Sequence, residues 1–380
     1  MKKCRLMAPG PTPVPDDVLL KMAKPIIHHR TPQFQAVLKR VNAKLKDAVK
    51  TINPVLILAS SGSGAMEASV VNFLSTGDKA IVIKGGKFGE RFAEICSAYG
   101  VETVDYDVTW GESADPDIVD EMIKKNPEVK VVYSTLCETS TGVVNDIKAI
   151  GKVVSQSDTI LVVDAISGLF ADKFEPDNWG VDIVVAGSQK GFMLPPGLGF
   201  MSVSKKAQEL AGKSNLPKYY FDVKAALISH ANNNTPWTPA ISLIIGLETV
   251  LDMLLEEGLE NVIERHARLA KVTREAIKAI GLEVFALSPS NALTSVKVPE
   301  DIDGTLIPKM MRDEQMVTIA GGQAFLKGKI FRIAHLGYMD VFDTISTIAA
   351  LEVVLSELGH KVEMGKGIGK VQELLKSDKR

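Results

Sequence analysis

The stretch "VDIVVAGSQKGFMLPPGLGFMSVS", residues 181–204, sets a single lysine among apolar, glycine and proline residues. The β-branched run from Val181 to Val185 reads as a buried strand. The chain then turns through Ala186-Gly187-Ser188-Gln189 and delivers Lys190 ahead of a segment too rich in Pro and Gly to continue as helix. Lysine is seldom buried without a partner. An ammonium at the end of a core strand therefore either snorkels to water or is there to react.

Working outward, short β-rich runs alternate with helical patterns over the first two-thirds of the chain. Strands are expected at 55–60, 79–84, 102–107, 130–135, 159–165, 182–187 and 198–204. Helical periodicity fills segments between them, as in "AMEASVVNFLST" (65–76) and "DIKAIGKVVSQS" (146–157). Near-continuous apolar strands alternating with helices predict an α/β fold with a mainly parallel sheet covered on both faces. From Pro239 two long amphipathic helices follow, stopped by Gly258 and Gly281. Beyond them "LTSVKVP" (293–299), "MVTIAGG" (316–322) and "IFRIAH" (330–335) predict a small sheet before a last long helix over 343–360. The expected organisation is a large domain over residues 1–255 and a smaller α+β domain over 256–380.

The totals exclude several function classes. Lys+Arg 44 against Asp+Glu 46 gives a net charge of −2, and no polybasic tract invites nucleic acid or an anionic membrane. The three cysteines, Cys4, Cys96 and Cys137, form no CxxC pair and no metal-ligand spacing. Their number suits a reducing cytoplasm, which is the expected location. The N-terminal "MKKCRLMAPGPTPVP" has Pro and Gly where a signal peptide needs an apolar run, and no membrane span is expected.

In an open parallel sheet, ligands bind beyond the carboxyl ends of the strands, so the residues just after each strand carry the chemistry. After "VLILA" comes "SSGSGAMEA", whose small residues leave backbone N–H groups bare at a helix start. That is a phosphate cradle or a plain capping turn. It is neither GxGxxG nor GxxxxGK[ST], which disfavours a nucleoside triphosphate. After "KAIVIK" comes Phe88, either a core ring or a face for something flat. After "KVVYS" come Thr139, Ser140 and Thr141, which offer hydroxyls or cap the helix starting near Asp146. After "TILVV", Asp164 ends the most apolar strand and needs a cation, a protonated heterocycle or strong hydrogen bonds. Lys190 completes the series. Cradle, flat ring, hydroxyls, carboxylate and amine match the phosphate, pyridine ring, phenolic oxygen, ring nitrogen and aldehyde of pyridoxal 5′-phosphate.

On these residues the sequence resembles the class V aminotransferases of pyridoxal 5′-phosphate fold type I, above all their alanine/serine–glyoxylate (serine–pyruvate) branch. The resemblance runs from "APGPTPVP" (8–15) to "FRIAHLG" (331–337) and includes "HHRTPQF", "SGSGAMEA", "ETSTGV", "VDAISG", "GSQKGFMLPPG" and "NNTPWTP". It implies that Lys190 is the Schiff-base lysine and that Asp164 holds the pyridinium proton. Phe88 would stack on the ring and Thr139 would bond the phenolic oxygen, with Ser61, Gly62, Ser63 and Gln189 around the phosphate. Asn234 and Thr235 match a segment that in relatives reaches the phosphate from the other subunit, which implies a homodimer with its site at the interface. Arg332 would clamp the substrate α-carboxylate, assisted by the turn at Gly10, in an N-terminal segment of about 20 residues that packs toward the small domain. A guanidinium fork suits that task better than a lysine, although a surface arginine on an edge strand would read the same way.

The implied activity is transamination from a small amino acid such as alanine or serine to glyoxylate or pyruvate. No metal is expected. A lone carboxylate clamp favours small monocarboxylic substrates. His28, His29 and Arg30 are either a solvated loop or an entrance admitting aspartate-, phosphoserine- or aminophosphonate-type donors. Cysteine desulfurase, a rival on the same fold, needs a late loop cysteine, whereas the last cysteine here is Cys137. That group also commonly has His where this chain has Gln189. A non-enzymatic accessory subunit is the remaining alternative, and the intact Lys190, Asp164 and Arg332 argue against it.

Overall fold

The computed structural model describes residues 3–377. Its main sheet has seven strands. They lie in the order Val55–Leu58, Gly199–Val203, Ile183–Gly187, Ile160–Asp164, Val131–Thr135, Lys79–Lys84 and Glu102–Asp107. Neighbours pair in parallel except Gly199–Val203, which runs antiparallel to the strands on both its sides. Alternation along the strands explains why the apolar runs are unbroken. Val131, Tyr133, Ile160 and Val162 enter one core with Met66, Phe73 and Phe92. Val132, Leu161 and Val163 enter the opposite core with Leu38, Leu45 and Leu247. Both faces of the central strands are covered, so successive residues there are mostly apolar, whereas the edge strand Glu102–Asp107 is largely polar.

The helices Ile241–Glu257 and Leu259–Ala279 are separated by Gly258 alone, whose φ of 85° is a turn conformation that glycine adopts without strain. The second helix contributes Leu269, Val272 and Ala276 to a third core with Leu293, Val296, Phe331 and Leu351. There Leu293–Lys297 and Ala320–Gly321 both pair antiparallel with Ile330–Ala334. The run "MVTIAGG" differs from expectation. It breaks at Ile319, and Val317–Thr318 pairs in parallel with Arg5–Leu6 from the N-terminus instead of joining the small sheet. Periodicity along 316–322 could not show this, because the pairing partner lies at the far end of the chain. Among the described residues, no helix is long and apolar enough to cross a membrane.

The turn that follows Ile160–Asp164 joins the sheet to the third core. Buried Asp172 accepts the Ser290 hydroxyl at 2.5 Å and the Asn291 amide at 2.8 Å. His266 Nδ1 donates to the carbonyls of Phe170 at 3.0 Å and Val262 at 2.7 Å, while Nε2 accepts the Gly337 amide at 2.9 Å. Accepting that amide requires a neutral ring, and burial holds the His266 pKa down to about 4. Replacing Asp172 with Ala removes the acceptor shared by Ser290 and Asn291. The expected cost is about 2–3 kcal/mol, read as a lower thermal midpoint, with Asp172→Asn losing less. Unchanged midpoints in both variants would show that this joint does not tie the two parts together.

Candidate active site

Lys190 is mounted by a staple across its own turn. Buried Ser188 donates to the Pro195 carbonyl at 2.8 Å and accepts the Leu198 amide at 3.1 Å. Lys190 leaves this turn toward a cavity of about 200 Å³ that Ser61, Gly62, Ser63, Phe88, Arg91 and Gln189 help to line. The N-terminal segment crosses the same place. Thr12 donates its hydroxyl to the Lys190 carbonyl at 2.9 Å, and Lys190 Nζ donates to the Pro9 carbonyl. At Gly10, φ is 147° and a Cβ would run into the Lys190 side chain, so only glycine fits. Burial lowers the Lys190 amine to about 8.

Asp164 ends the neighbouring strand and is 3% exposed. Among the described residues, its carboxylate receives one hydrogen bond, from the Ile166 amide at 2.7 Å. Burial pushes its pKa up to about 7, and the more distant charges of Lys190 and Arg91 only partly oppose that shift. The ionised form therefore lacks a direct cationic partner.

Phe88 is positioned by a residue that sequence reasoning missed. Buried Glu138 accepts the amides of Phe88 at 3.1 Å and Gly89 at 2.9 Å, in the first turn of the helix Lys87–Ala98. It also accepts the Ser140 hydroxyl at 2.5 Å, and Ser140 Oγ accepts the Lys87 amide at 3.0 Å. Ser140 thus caps Lys87–Ala98, whereas the helix after Asp146 is capped by Asp146 itself. The acid next to the predicted hydroxyls was the available signal, but its partners lie about fifty residues earlier, beyond any local pattern. Thr139 donates its hydroxyl to Ser167 at 2.6 Å, and its carbonyl accepts Arg332 Nη1 at 2.8 Å.

Arg332 sits in Ile330–Ala334, 5% exposed, which removes the surface-arginine reading. Its Nε and Nη2 donate to the Gly321 carbonyl at 3.0 and 2.8 Å. These carbonyls orient the guanidinium without neutralising it. Burial lowers its pKa to about 10, so it stays cationic, and its charge is among those felt at Lys190.

The cradle is equally open. Ser61 is the N-cap of the helix Gly62–Val71 yet makes no side-chain cap bond. A Cβ on Gly62 would collide with Ile166, two residues beyond Asp164. The buried side-chain oxygen of Gln189 has no partner among the described residues, and a flip of that amide would turn its N–H groups there instead. An uncapped helix start, an unpaired amide, a carboxyl without a cation and a depressed amine are a donor set that fits pyridoxal 5′-phosphate. The thiol of Cys137 is pushed well up by burial, the opposite of what a sulfur nucleophile needs.

Asn234 and Thr235 are not brought to this cavity. Arg30 Nη1 donates to Asn234 Oδ1 at 2.5 Å and to the Thr235 carbonyl at 2.8 Å. Thr235, Pro236 and Trp237 line a separate cleft with Tyr220. The basic cluster at His28, His29 and Arg30 is therefore tied, through Arg30, to the 234–236 segment and does not line its own chain's cavity.

Comparison with known proteins places the chain in a family. The family profile "Aminotransferase class-V" matches residues 6–334. The small subunit of a soluble hydrogenase from Synechococcus is 42% identical over 380 residues, covering 98% of each chain. The L-aspartate–glyoxylate aminotransferase of Paracoccus denitrificans is 36% identical, covering 97% of this chain and 95% of its own. The crystal structure of the ureidoglycine–glyoxylate aminotransferase of Bacillus subtilis superposes with a TM-score of 0.95 at 26% identity, over 99% of both chains. With its sheet, its cavity and these relatives in agreement, the chain belongs to the class V aminotransferases, pyridoxal 5′-phosphate enzymes of fold type I.

Proposed function

We propose that Lys190, Asp164 and Arg332 carry transamination between a small amino acid, such as alanine or serine, and a small 2-oxo acid, glyoxylate or pyruvate. One observation carries the reading: the depressed amine of Lys190, at the cavity wall, feels the charges of both a carboxyl that lacks a cation, Asp164, and a guanidinium that lacks a carboxylate, Arg332. The two aminotransferase relatives named above both take glyoxylate in their names, which supports that acceptor.

When bound, the coenzyme supplies an aldehyde that takes up the amino group and a protonated ring that draws electrons from the α-carbon. Arg332 holds the substrate α-carboxylate, its guanidinium already aimed by the Gly321 and Thr139 carbonyls. With a pKa of about 8, Lys190 is partly neutral near pH 7, and its Nζ takes the α-proton of the bound amino acid. In the return half-reaction it gives a proton to the α-carbon of the new amino acid. Asp164 keeps the proton on the ring nitrogen, whose positive charge offsets the desolvation of the carboxylate. Phe88, fixed by Glu138, presents a flat apolar face to the ring. Thr139 gives its hydroxyl proton to the phenolic oxygen, Ser167 then donating to Thr139 across their 2.6 Å contact, and Ser61, Gly62, Ser63 and Gln189 take the phosphate.

The active unit in this reading is a homodimer. Asn234 and Thr235, gathered by Arg30, serve the phosphate of a second copy. Tyr219 stacks on Trp237 at 4.6 Å beside that segment. Tyr219 at 74% and Ile228 at 69% exposure give the dimer an apolar surface to cover. Residues 1–255 act as the coenzyme-binding domain, and 256–380 as the smaller domain that delivers Arg332. Three free thiols suit a reducing cytoplasm as the place of reaction.

Lys190→Ala should abolish both turnover and the visible absorbance of bound coenzyme. In the wild type, covalent capture of pyridoxal 5′-phosphate should accelerate as pH rises through about 8, because the reactive amine is the neutral form. A rise centred on the unperturbed 10.5 would contradict the buried environment assigned to this amine. Arg332→Lys should raise KM for the amino acid by about 10- to 100-fold while kcat changes less, since a point charge replaces a fork. Shared sites can be checked by complementation. Lys190→Ala chains co-expressed with Asn234→Ala/Thr235→Ala chains should regain activity, because a mixed dimer holds one site with both native parts. Verified mixed dimers without activity would place the 234–236 segment elsewhere.

A further inference from the structure

Arg91 is a cation of this cavity that the proposed reaction leaves unused. It lies three residues after Phe88 in Lys87–Ala98, so the two side chains share one helix face. Its guanidinium carbon stands 4.8 Å from the Phe88 ring centroid, and Nη1 donates to Ser63 Oγ at 3.1 Å. Ser63 belongs to the first turn of Gly62–Val71, the turn whose N-cap makes no side-chain bond. Arg91, Ser61, Gly62 and Ser63 line the same cavity. No carboxylate comes within ion-pair distance of Arg91 among the described residues, and its neighbour Glu90 is taken by Lys87 at 2.6 Å. Its guanidinium charge therefore stands at the cavity wall without an ion-pair partner.

We propose that Arg91 binds the coenzyme phosphate, adding a charge-assisted fork to the amides and hydroxyls of Ser61, Gly62 and Ser63. The inference rests on the function proposed above. A phosphate monoester carries close to two negative charges, of which a helix N-terminus supplies only about half a compensating charge. Seryl hydroxyls and amides add hydrogen bonds but no net charge. A guanidinium already hydrogen-bonded to the first turn of that helix supplies the missing charge in the geometry that phosphate oxygens favour. The Phe88 ring and Ser63 Oγ hold the guanidinium between the two helix starts. A consequence reaches the substrate. With Arg91 committed to phosphate, Arg332, whose charge is felt at Lys190, remains the one carboxylate clamp, which suits donors carrying one carboxylate.

The test is equilibrium titration of apoenzyme with pyridoxal 5′-phosphate and, separately, with pyridoxal, followed by absorbance. Arg91→Met should weaken pyridoxal 5′-phosphate by about 10- to 100-fold while pyridoxal changes by less than about twofold. Arg91→Lys should recover part of the loss, since it restores charge without the fork. Arg91→Gln makes the same comparison should Arg91→Met fail to fold. Equal losses for both ligands would reduce Arg91 to a structural strut and overturn the proposal. Unchanged coenzyme affinity, with KM raised for aspartate and not for alanine, would assign Arg91 to a distal carboxylate and overturn it as well. A wild-type chain that bound neither ligand would instead overturn the coenzyme reading itself.

Discussion

Two ionisable groups are taken out of water at the ends of adjacent strands, Ile160–Asp164 and Ile183–Gly187, without being allowed to neutralise each other. Burial raises Asp164 to about 7 and lowers Lys190 to about 8, so each is disfavoured in its charged form. A direct ion pair would relieve both costs but would also tie up the amine and fill the carboxylate. The chain avoids this by giving Lys190 the Pro9 carbonyl and giving Asp164 only the Ile166 amide. What remains is a site whose buried polar groups are left mismatched by the chain itself. Tolerating that mismatch is feasible because the strands beneath it are buried on both faces.

Such tuning works only if the walls do not relax, and several remote contacts serve that end. Gly10 fits against Lys190 where any side chain would collide, and Thr12 fastens the same segment to the lysine carbonyl. Glu138 and Ser140 cap the helix that carries both Phe88 and Arg91. Asp172 and neutral His266 join the turn after Asp164 to the part of the chain that holds Arg332. The polar side chains among these, Thr12, Glu138, Ser140, Asp172 and His266, are buried and would cost stability if left unpaired. The electrostatics of the cavity and the cohesion of the fold therefore depend on the same bonds.

Much of the site was legible before any coordinates. Asp164 ends a strand and Lys190 and Phe88 follow strands, and the strand-end rule for parallel sheets directs attention to such positions. Arg332 was ambiguous, because an isolated arginine in a short strand does not reveal whether that strand is an edge or a core. Only its burial and its carbonyl partners decide. Glu138 and Arg91 escaped notice for a related reason. A glutamate and an arginine inside polar stretches read as surface residues until the elements 49 or 28 residues away are folded against them. Arg30, likewise, reads as either a solvated loop charge or an entrance charge and turns out to tie the 234–236 segment.

Periodicity and punctuation along the chain were enough to determine the mainly parallel sheet, its two-sided cover, the paired helices around Gly258 and the row of polar candidates at the strand ends. These depend on which residues neighbour one another locally, which a linear sequence records. Tertiary structure alone decided the parallel pairing of Arg5–Leu6 with Val317–Thr318, the burial of Arg332 and the cap that Glu138 supplies. It also decided the separation of Asn234 and Thr235 from their own chain's cavity. Each of these is a relation between segments far apart in the chain. Hydrogen bonding and desolvation act through space, so no local pattern can carry that information.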